Sequence, residues 1–431
     1  MVADRLERMV RQVRRWRSSG PSIDLDPSLK DDRALRRSID ECLSVRGGEV
    51  AARKRAQQIG TSFLGLDSDG RRRFFEILAE DYNHDDLAID LAAAELAAAA
   101  TSAERAVAIR TLRAATQPQY EALLERFVSF DGGLPFLIDL REELMEHRRS
   151  SPALESLDHD LRNMLNRWFD VGLLRLDRLT WDTPAALLEK LIDYEAVHAI
   201  ESWDDLRGRL GPGRRCYAFL HPGMPDDPLI FVEVALEKGI PGSVRDLLDH
   251  EAQRFVATEA DTAVFYSISN CHRGLAGVSL GDFLIKRVVE QLSAELPNLK
   301  HFVTLSPLPG FRRWAADQPD CPPIPATPDE NADADAFLSL AARYLSSEKR
   351  KGRALDPVAH FHLSNGARVE RLHWWANPTS TGWDRGVGMM VNYYYELRSI
   401  EENRDRYVQA GRIARSDTIK KLASRGSTDR G

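Results

Sequence analysis

Three blocks of this chain hold residue types that can do chemistry. In AVFYSISNCHRGLAGVSLGDFLIKRVVEQL, from Ala263 to Leu292, a β-branched and aromatic run gives way to Gly274, Gly277 and Gly281 and then to helical periodicity. Glycines there let the backbone turn tightly at the mouth of a helix. Unpaired N–H groups and the positive end of the helix dipole then suit a phosphate or pyrophosphate. The spacing is neither GxxxxGKS/T nor GxGxxG. Plain turn chemistry and a phosphate cradle therefore both stand as readings. In TLSPLPGFRRW (304–314), Ser306 falls at a strand terminus before two prolines that fix the chain's exit. It either caps the following turn or faces a ligand, because open α/β layers gather ligands at the C-terminal ends of strands. In DPVAHFHLSNGA (356–367), Asp-Pro opens a short helix and Asn-Gly stops it. His360 and His362 are then about 200° apart around that helix and cannot chelate one metal together. Each is by itself a structural histidine or an acid–base group. Cys271 and His272 are adjacent, but a thiol–imidazole dyad is a neighbourhood in space, so adjacency in sequence argues little for one.

The elements that must position these groups differ between the two halves. From about Asp31 to Leu174 apolar residues recur at three and four, punctuated by Gly47-Gly48, Gly60, Gly132-Gly133 and Ser150-Ser151-Pro152, which predicts an all-α bundle. The Ala-rich run 91–100 is a strong helix former whose expected role is close packing. Beyond about residue 172 strands are expected at 216–220, 229–235, 263–269, 301–306, 369–375 and 388–395, alternating with helices. HPGMPDD (221–227) reads as a hairpin connection with a structural His221. Trp374, Trp375 and Tyr393 to Tyr395 read as core and cleft wall. Residues 315–335 are too polar for a core and are expected to form a mobile insertion before a helix at 336–347.

Composition bounds the class. A chain of 431 residues suggests about two or three domains. With 43% hydrophobic and 29% charged residues it has the apolar content to fold. Lys+Arg 59 against Asp+Glu 66 leaves −7, the wrong sign for a broad nucleic-acid surface. Cys42, Cys216, Cys271 and Cys321 form no CxxC pair, so neither a zinc ribbon nor a disulfide framework is expected and a reducing cytoplasm fits. No apolar window is long enough for a membrane span. The first eighteen residues are Arg-rich, but Asp4 and Glu7 interrupt them, so a basic helix is expected rather than a targeting segment; the terminal STDRG is not an SKL-type signal.

HPGMPDDPLIFVEVAL, FYSISNCHRGLAGVSLGDFLIKRVV, LSPLPGF, DPVAHFHLSNGARVERLHWWAN and GVGMMVNYYYEL, spread over 221–397, resemble the malonyl-CoA decarboxylase family. The resemblance implies an α+β chain. An N-terminal helical bundle (1–172) would serve self-association, as a homotetramer, ahead of a catalytic domain (173–431) of the N-acetyltransferase (GNAT) fold. In that fold a strand, a Gly-rich loop and a helix N-terminus hold the CoA pyrophosphate, here at Ala276, Gly277, Val278, Ser279, Leu280, Gly281 and Asp282. Some members carry Glu where this chain has Ser279. The family's catalytic serine falls on Ser306 and its catalytic histidine on His362. Asn392 and Tyr395, in the last expected strand, are read as supporting polar groups. The implied reaction takes malonyl-CoA to acetyl-CoA and CO2. The thioester carbonyl can accept the electrons as an enolate, so no cofactor and no metal is expected. The implied partners are the substrate and further copies of the chain, with no nucleic acid and no membrane. Two other readings are a CoA-dependent N-acyltransferase, because fold does not dictate reaction, and a non-catalytic acyl-CoA-binding protein.

Overall fold

The computed structural model describes residues 31–44, 47–249, 257–278 and 280–425, without the side chains of Asp282 and Phe283. The Arg-rich first eighteen residues, the terminal STDRG and Ser279 lie outside the described residues. Two compact units form. One comprises the described residues to Asp170 together with His272–Val278; the other holds Val171–Cys271 and the described residues from Leu280 onward.

The first unit is helical: α1 Asp32–Leu43, α2 Glu49–Leu64, α3 Ser68–Asp81, α4 Asp86–Ala98, α5 Ser102–Ala115, α6 Gln119–Val128, α7 Gly133–His147 and α8 Pro152–Trp168. Local chemistry sets the starts. Asp31, Asp67, Asp85, Thr101 and Ser151 each accept backbone N–H groups as N-caps, and Thr101 closes a capping box with Glu104. Phe63, Phe74, Phe75, Phe127 and Phe136 meet mostly edge to face with centroids 5.0–6.0 Å apart, the arrangement favoured by ring quadrupoles. The Ala-rich run does form α4, but only Ala92 of that helix is buried. Among the described residues the run is therefore mostly unburied, and propensity rather than burial accounts for the helix.

The second unit is built on a mixed sheet: β1 Arg175–Leu179, β2 Arg214–His221, β3 Met224–Glu237, β4 Thr262–Asn270, β5 His301–Thr304, β6 Ser306–Pro307, β9 Arg368–His373 and β10 Met390–Tyr394, with β7 Lys349–Arg350 and β8 Arg353–Ala354 as a separate ribbon. The order is β1-β2-β3-β4-β5-β10-β6, and β9 also pairs with β10. Among the named strand pairs of the described residues only β4 and β5 run parallel; the others are antiparallel. Around the sheet lie α9 Ala185–Tyr194, α10 Trp203–Arg209, α11 Val244–Leu248, α12 Gly281–Glu295, α13 Phe311–Ala316, α14 Ala334–Ser347, α15 Pro357–Ser364, α16 Ser380–Gly386, α17 Ile400–Ala410 and α18 Asp417–Arg425. A parallel pair needs a crossover, and α12 supplies it. This strand, Gly-rich loop and helix order is the one expected of an N-acetyltransferase-like sheet. All six expected strands are present, and HPGMPDD makes the tight β2–β3 hairpin, where His221 Nδ1 accepts the Gly223 N–H. β1 was not expected because RLDRL is a charged edge strand whose alternation is masked. Residues 317–333 carry no helix or strand, yet Trp383 donates to the Pro325 carbonyl at 3.0 Å and Trp374 to that of Glu330 at 3.1 Å.

Candidate active site

Ser306 is the first residue of β6, paired with Val391 of β10 directly beyond the end of β5. The turn into the prolines leaves its side chain buried against the sheet. α15 delivers the imidazole. The Asp356 carboxylate accepts the Val358 and Ala359 N–H groups at 2.9 Å, Pro357 occupies the first turn, and Asn365 ends the helix. Gly366 follows at φ +82°, where a Cβ would lie 2.2 Å from the Ile400 carbonyl oxygen, so only glycine lets the chain turn back there. His362 sits in the last turn, 3% exposed.

The two side chains meet: Ser306 Oγ is 3.1 Å from His362 Nε2. His362 Nδ1 is 2.7 Å from the Tyr395 hydroxyl, and the ring stacks on Tyr393 with centroids 4.5 Å apart. Burial disfavours the charged imidazolium and lowers its pKa to about 3. The ring is neutral at physiological pH. His360 belongs to another surface of the helix, with Nδ1 2.8 Å from Tyr407 OH.

Asn392 is fully buried but does not touch the pair. Its amide donates to the Thr304 and Pro241 carbonyls at 2.7 and 3.4 Å, and its oxygen receives His373 Nε2–H. It ties β5, β9 and the approach to α11 together. Thr304 was missed by sequence reasoning, although it lies two residues before Ser306: its Oγ1 accepts the Ser306 hydroxyl at 2.9 Å and the Tyr393 N–H at 3.1 Å.

In the first unit Ala276, Gly277 and Val278 belong to a segment held by Arg141. That guanidinium is 1% exposed, pairs with Asp158 at 2.9 Å, and donates to the Gly274 and Ala276 carbonyls at 2.6 and 2.8 Å. Gly274 is packed so closely that a Cβ would sit 1.9 Å from the Ile138 carbonyl oxygen. Gly277 adopts φ +79°, with Arg162 Cδ 3.4 Å from where its Cβ would be. Neither Arg141 nor Arg162 was legible as a neighbour of the loop. In the second unit buried Leu280 precedes α12, and Gly281 opens it with the Phe361 ring 2.3 Å from its Cβ position. Leu280, at the N-cap of α12, makes no side-chain capping hydrogen bond. Burial pushes the Cys271 thiol well up, which removes thiolate character. Among the described residues no group of three or more His, Cys, Asp or Glu side chains could hold a metal.

A hydroxyl and a neutral imidazole buried side by side can hydrogen-bond an anion and hand over a proton. The helical unit and the mixed-sheet unit make this an α+β protein, and the buried pair is of a kind that acid–base enzymes use. The malonyl-CoA decarboxylase C-terminal domain matches residues 172–331 and 325–430, and the malonyl-CoA decarboxylase N-terminal domain matches 82–169. A mitochondrial malonyl-CoA decarboxylase of Anser anser anser is 32% identical over 97% of this chain and 94% of its own; that of Rattus norvegicus is 33% identical over 89% and 84%. Crystal structures of malonyl-CoA decarboxylase from Rhodopseudomonas palustris (40% identity, TM-score 0.81, 90% of this chain and 98% of that one) and Agrobacterium vitis (39%, 0.83, 90% and 99%) share the fold. The chain belongs to the malonyl-CoA decarboxylase family.

Proposed function

We propose that this enzyme converts malonyl-CoA to acetyl-CoA and CO2 with its own side chains and no cofactor. The bond between the malonyl carboxylate and Cα breaks, its electron pair moves into the thioester as an enolate, and CO2 departs. Ser306 hydrogen-bonds the carboxylate or nascent enolate, and His362 gives its proton to Cα. One proton from solvent restores the imidazole, so the sum is malonyl-CoA plus H⁺ to acetyl-CoA plus CO2. The observation that carries this reading is the 3.1 Å contact between Ser306 Oγ and His362 Nε2, two groups 56 residues apart brought together in a buried site. For CoA we propose the run Ala276, Gly277, Val278, Ser279, Leu280, Gly281 and Asp282, supported by the helix start at Gly281 and by anion affinity at such starts. Tyr395 serves as a supporting group through its contact with His362.

We further propose a cytoplasmic homotetramer joined through the helical domain. Four free cysteines support the compartment, and the exposed apolar residues of α4 and α5 support the self-association. Among the described residues no helix is long and apolar enough to cross a membrane. The test is purified protein with malonyl-CoA, following acetyl-CoA and CO2 without added amine, metal or biotin. Stoichiometric products are expected, with Ser306→Ala and His362→Ala each lowering turnover by roughly 10²-fold or more. Near-normal turnover in a folded variant would remove that residue from its role.

A further inference from the structure

We infer that Thr304 and Tyr395 are positioning residues that hold the Ser306–His362 pair in one hydrogen-bond polarity, with the imidazole proton on Nε2 facing Ser306 and Nδ1 turned to the tyrosine. This deepens the proposed function and rests on it only for the catalytic consequence.

The polarity follows from two donors that meet on one oxygen. The main-chain N–H of Tyr393 can only donate, and it donates to Thr304 Oγ1 at 3.1 Å. The Ser306 hydroxyl donates to the same oxygen at 2.9 Å, which uses both acceptor sites of Thr304. Ser306 has a single proton, now committed. Its 3.1 Å contact with His362 Nε2 is therefore a hydrogen bond only when Nε2 carries the proton and Ser306 accepts it. A neutral ring protonated at Nε2 has a lone pair on Nδ1, so across 2.7 Å the Tyr395 hydroxyl donates to it. The chain runs from Tyr395 O–H to Nδ1, from Nε2–H to Ser306, and from Ser306 O–H to Thr304.

Several features keep this order in place. Thr304 is fully buried, so water does not compete for its oxygen, and Asn392 anchors its carbonyl at 2.7 Å. Tyr393, stacked on the imidazole, restrains rotation of the ring. The consequence concerns which nitrogen can give. Ser306 lies on the Nε2 side, and a proton there is available to a carbon bound beside Ser306. The opposite tautomer would present a lone pair and have nothing to deliver. Groups that orient a histidine's second nitrogen commonly decide its tautomer in this way.

The full chain labelled with ¹⁵N-histidine tests this without substrate, through two-bond proton–nitrogen correlations of His362, assigned by their loss in His362→Gln. The expected spectrum is a neutral ring protonated at Nε2. Thr304→Val keeps the side chain's shape but removes the acceptor, so the Ser306 hydroxyl turns to Nε2 and the signal moves to the Nδ1-protonated form. With it kcat should fall by roughly 10²-fold or more, the usual scale of a lost acid–base contribution, while KM for malonyl-CoA stays within about threefold. Thr304→Ser should restore both spectrum and kcat. Tyr395→Phe should leave a mixture of tautomers. A wild-type ring protonated at Nδ1, or Thr304→Val with wild-type spectrum and kcat, would overturn the inference. If Thr304→Val fails to fold, the wild-type and Tyr395→Phe spectra still decide it. Absence of CO2 from malonyl-CoA with the expected spectra would sink the proposed reaction and leave the polarity standing.

Discussion

At His362 the decisive quantity is charge. An imidazole held neutral down to about pH 3 in the free protein has no protonation step near the usual 6.5. We expect kcat/KM for malonyl-CoA to be flat between about pH 5 and 8, with no limb near 6.5. A half-maximal point near 6.5 in a pH–rate profile would contradict this. The same shift affects stability. The folded pKa lies below the unfolded one, so the unfolded state binds more protons as pH falls through about 6.5, and stability is lost on the acid side. At pH 5 this one group costs about 2 kcal/mol relative to neutral pH. His198, lowered to about 4 by burial, acts in the same direction. Denaturant midpoints should fall from pH 7 to pH 5, and less so in His362→Gln; equal falls would contradict the assignment.

At the scale of elements, the position of the His362 imidazole depends on where α15 begins. Asp356 accepts two main-chain N–H groups and the Tyr344 hydroxyl from a nearly fully buried position, and burial raises its pKa. Asp356→Ala should cost about 2 kcal/mol through the lost cap and its stranded partners. It should lower kcat as well, because the helix that aims His362 loosens; denaturant melts alongside kinetics would check both. Arg141 does comparable work for the Gly-rich segment by holding two carbonyls from one guanidinium. Arg141→Leu should destabilise the first unit by about 3 kcal/mol, since Asp158 loses a buried partner. If the segment helps to hold CoA, KM should rise about tenfold with kcat nearly unchanged; unchanged KM in a folded variant would limit Arg141 to structure. The helix start at Asp356 and the glycines at 274 and 277 were legible as local signals. Arg141 was not, because it lies 133 and 135 residues from the carbonyls it binds.

For the whole molecule, the helical hairpin α4–α5 leaves Leu87, Leu91 and Val107 exposed at 66%, 60% and 53%. Leu87 and Leu91 are one turn apart on the same helix face, and such surface favours association. Leu87→Asp with Leu91→Asp should yield a smaller species by sedimentation with helix content intact. An unchanged sedimentation coefficient would assign the contact elsewhere. The Ala-rich run was expected to pack closely; exposure of most of that helix could not be read from composition, because alanine favours helix whether or not it is buried.

What the sequence determined by itself is local: which segments turn into helix or strand, where they start and stop, and which glycines, serines and histidines stand at their ends. Caps, proline constraints and apolar periodicity act over a few residues and are written there. The sequence also held the motifs by which the family could be recognised. Only the tertiary structure decided that His362 faces Ser306 while His360 faces Tyr407, that Asn392 braces strands, and that Thr304 accepts a hydrogen bond from the serine hydroxyl. Those contacts join residues close in space across the sheet. Which of them form depends on packing and on satisfying every buried polar group at once, and no spacing along the chain encodes that.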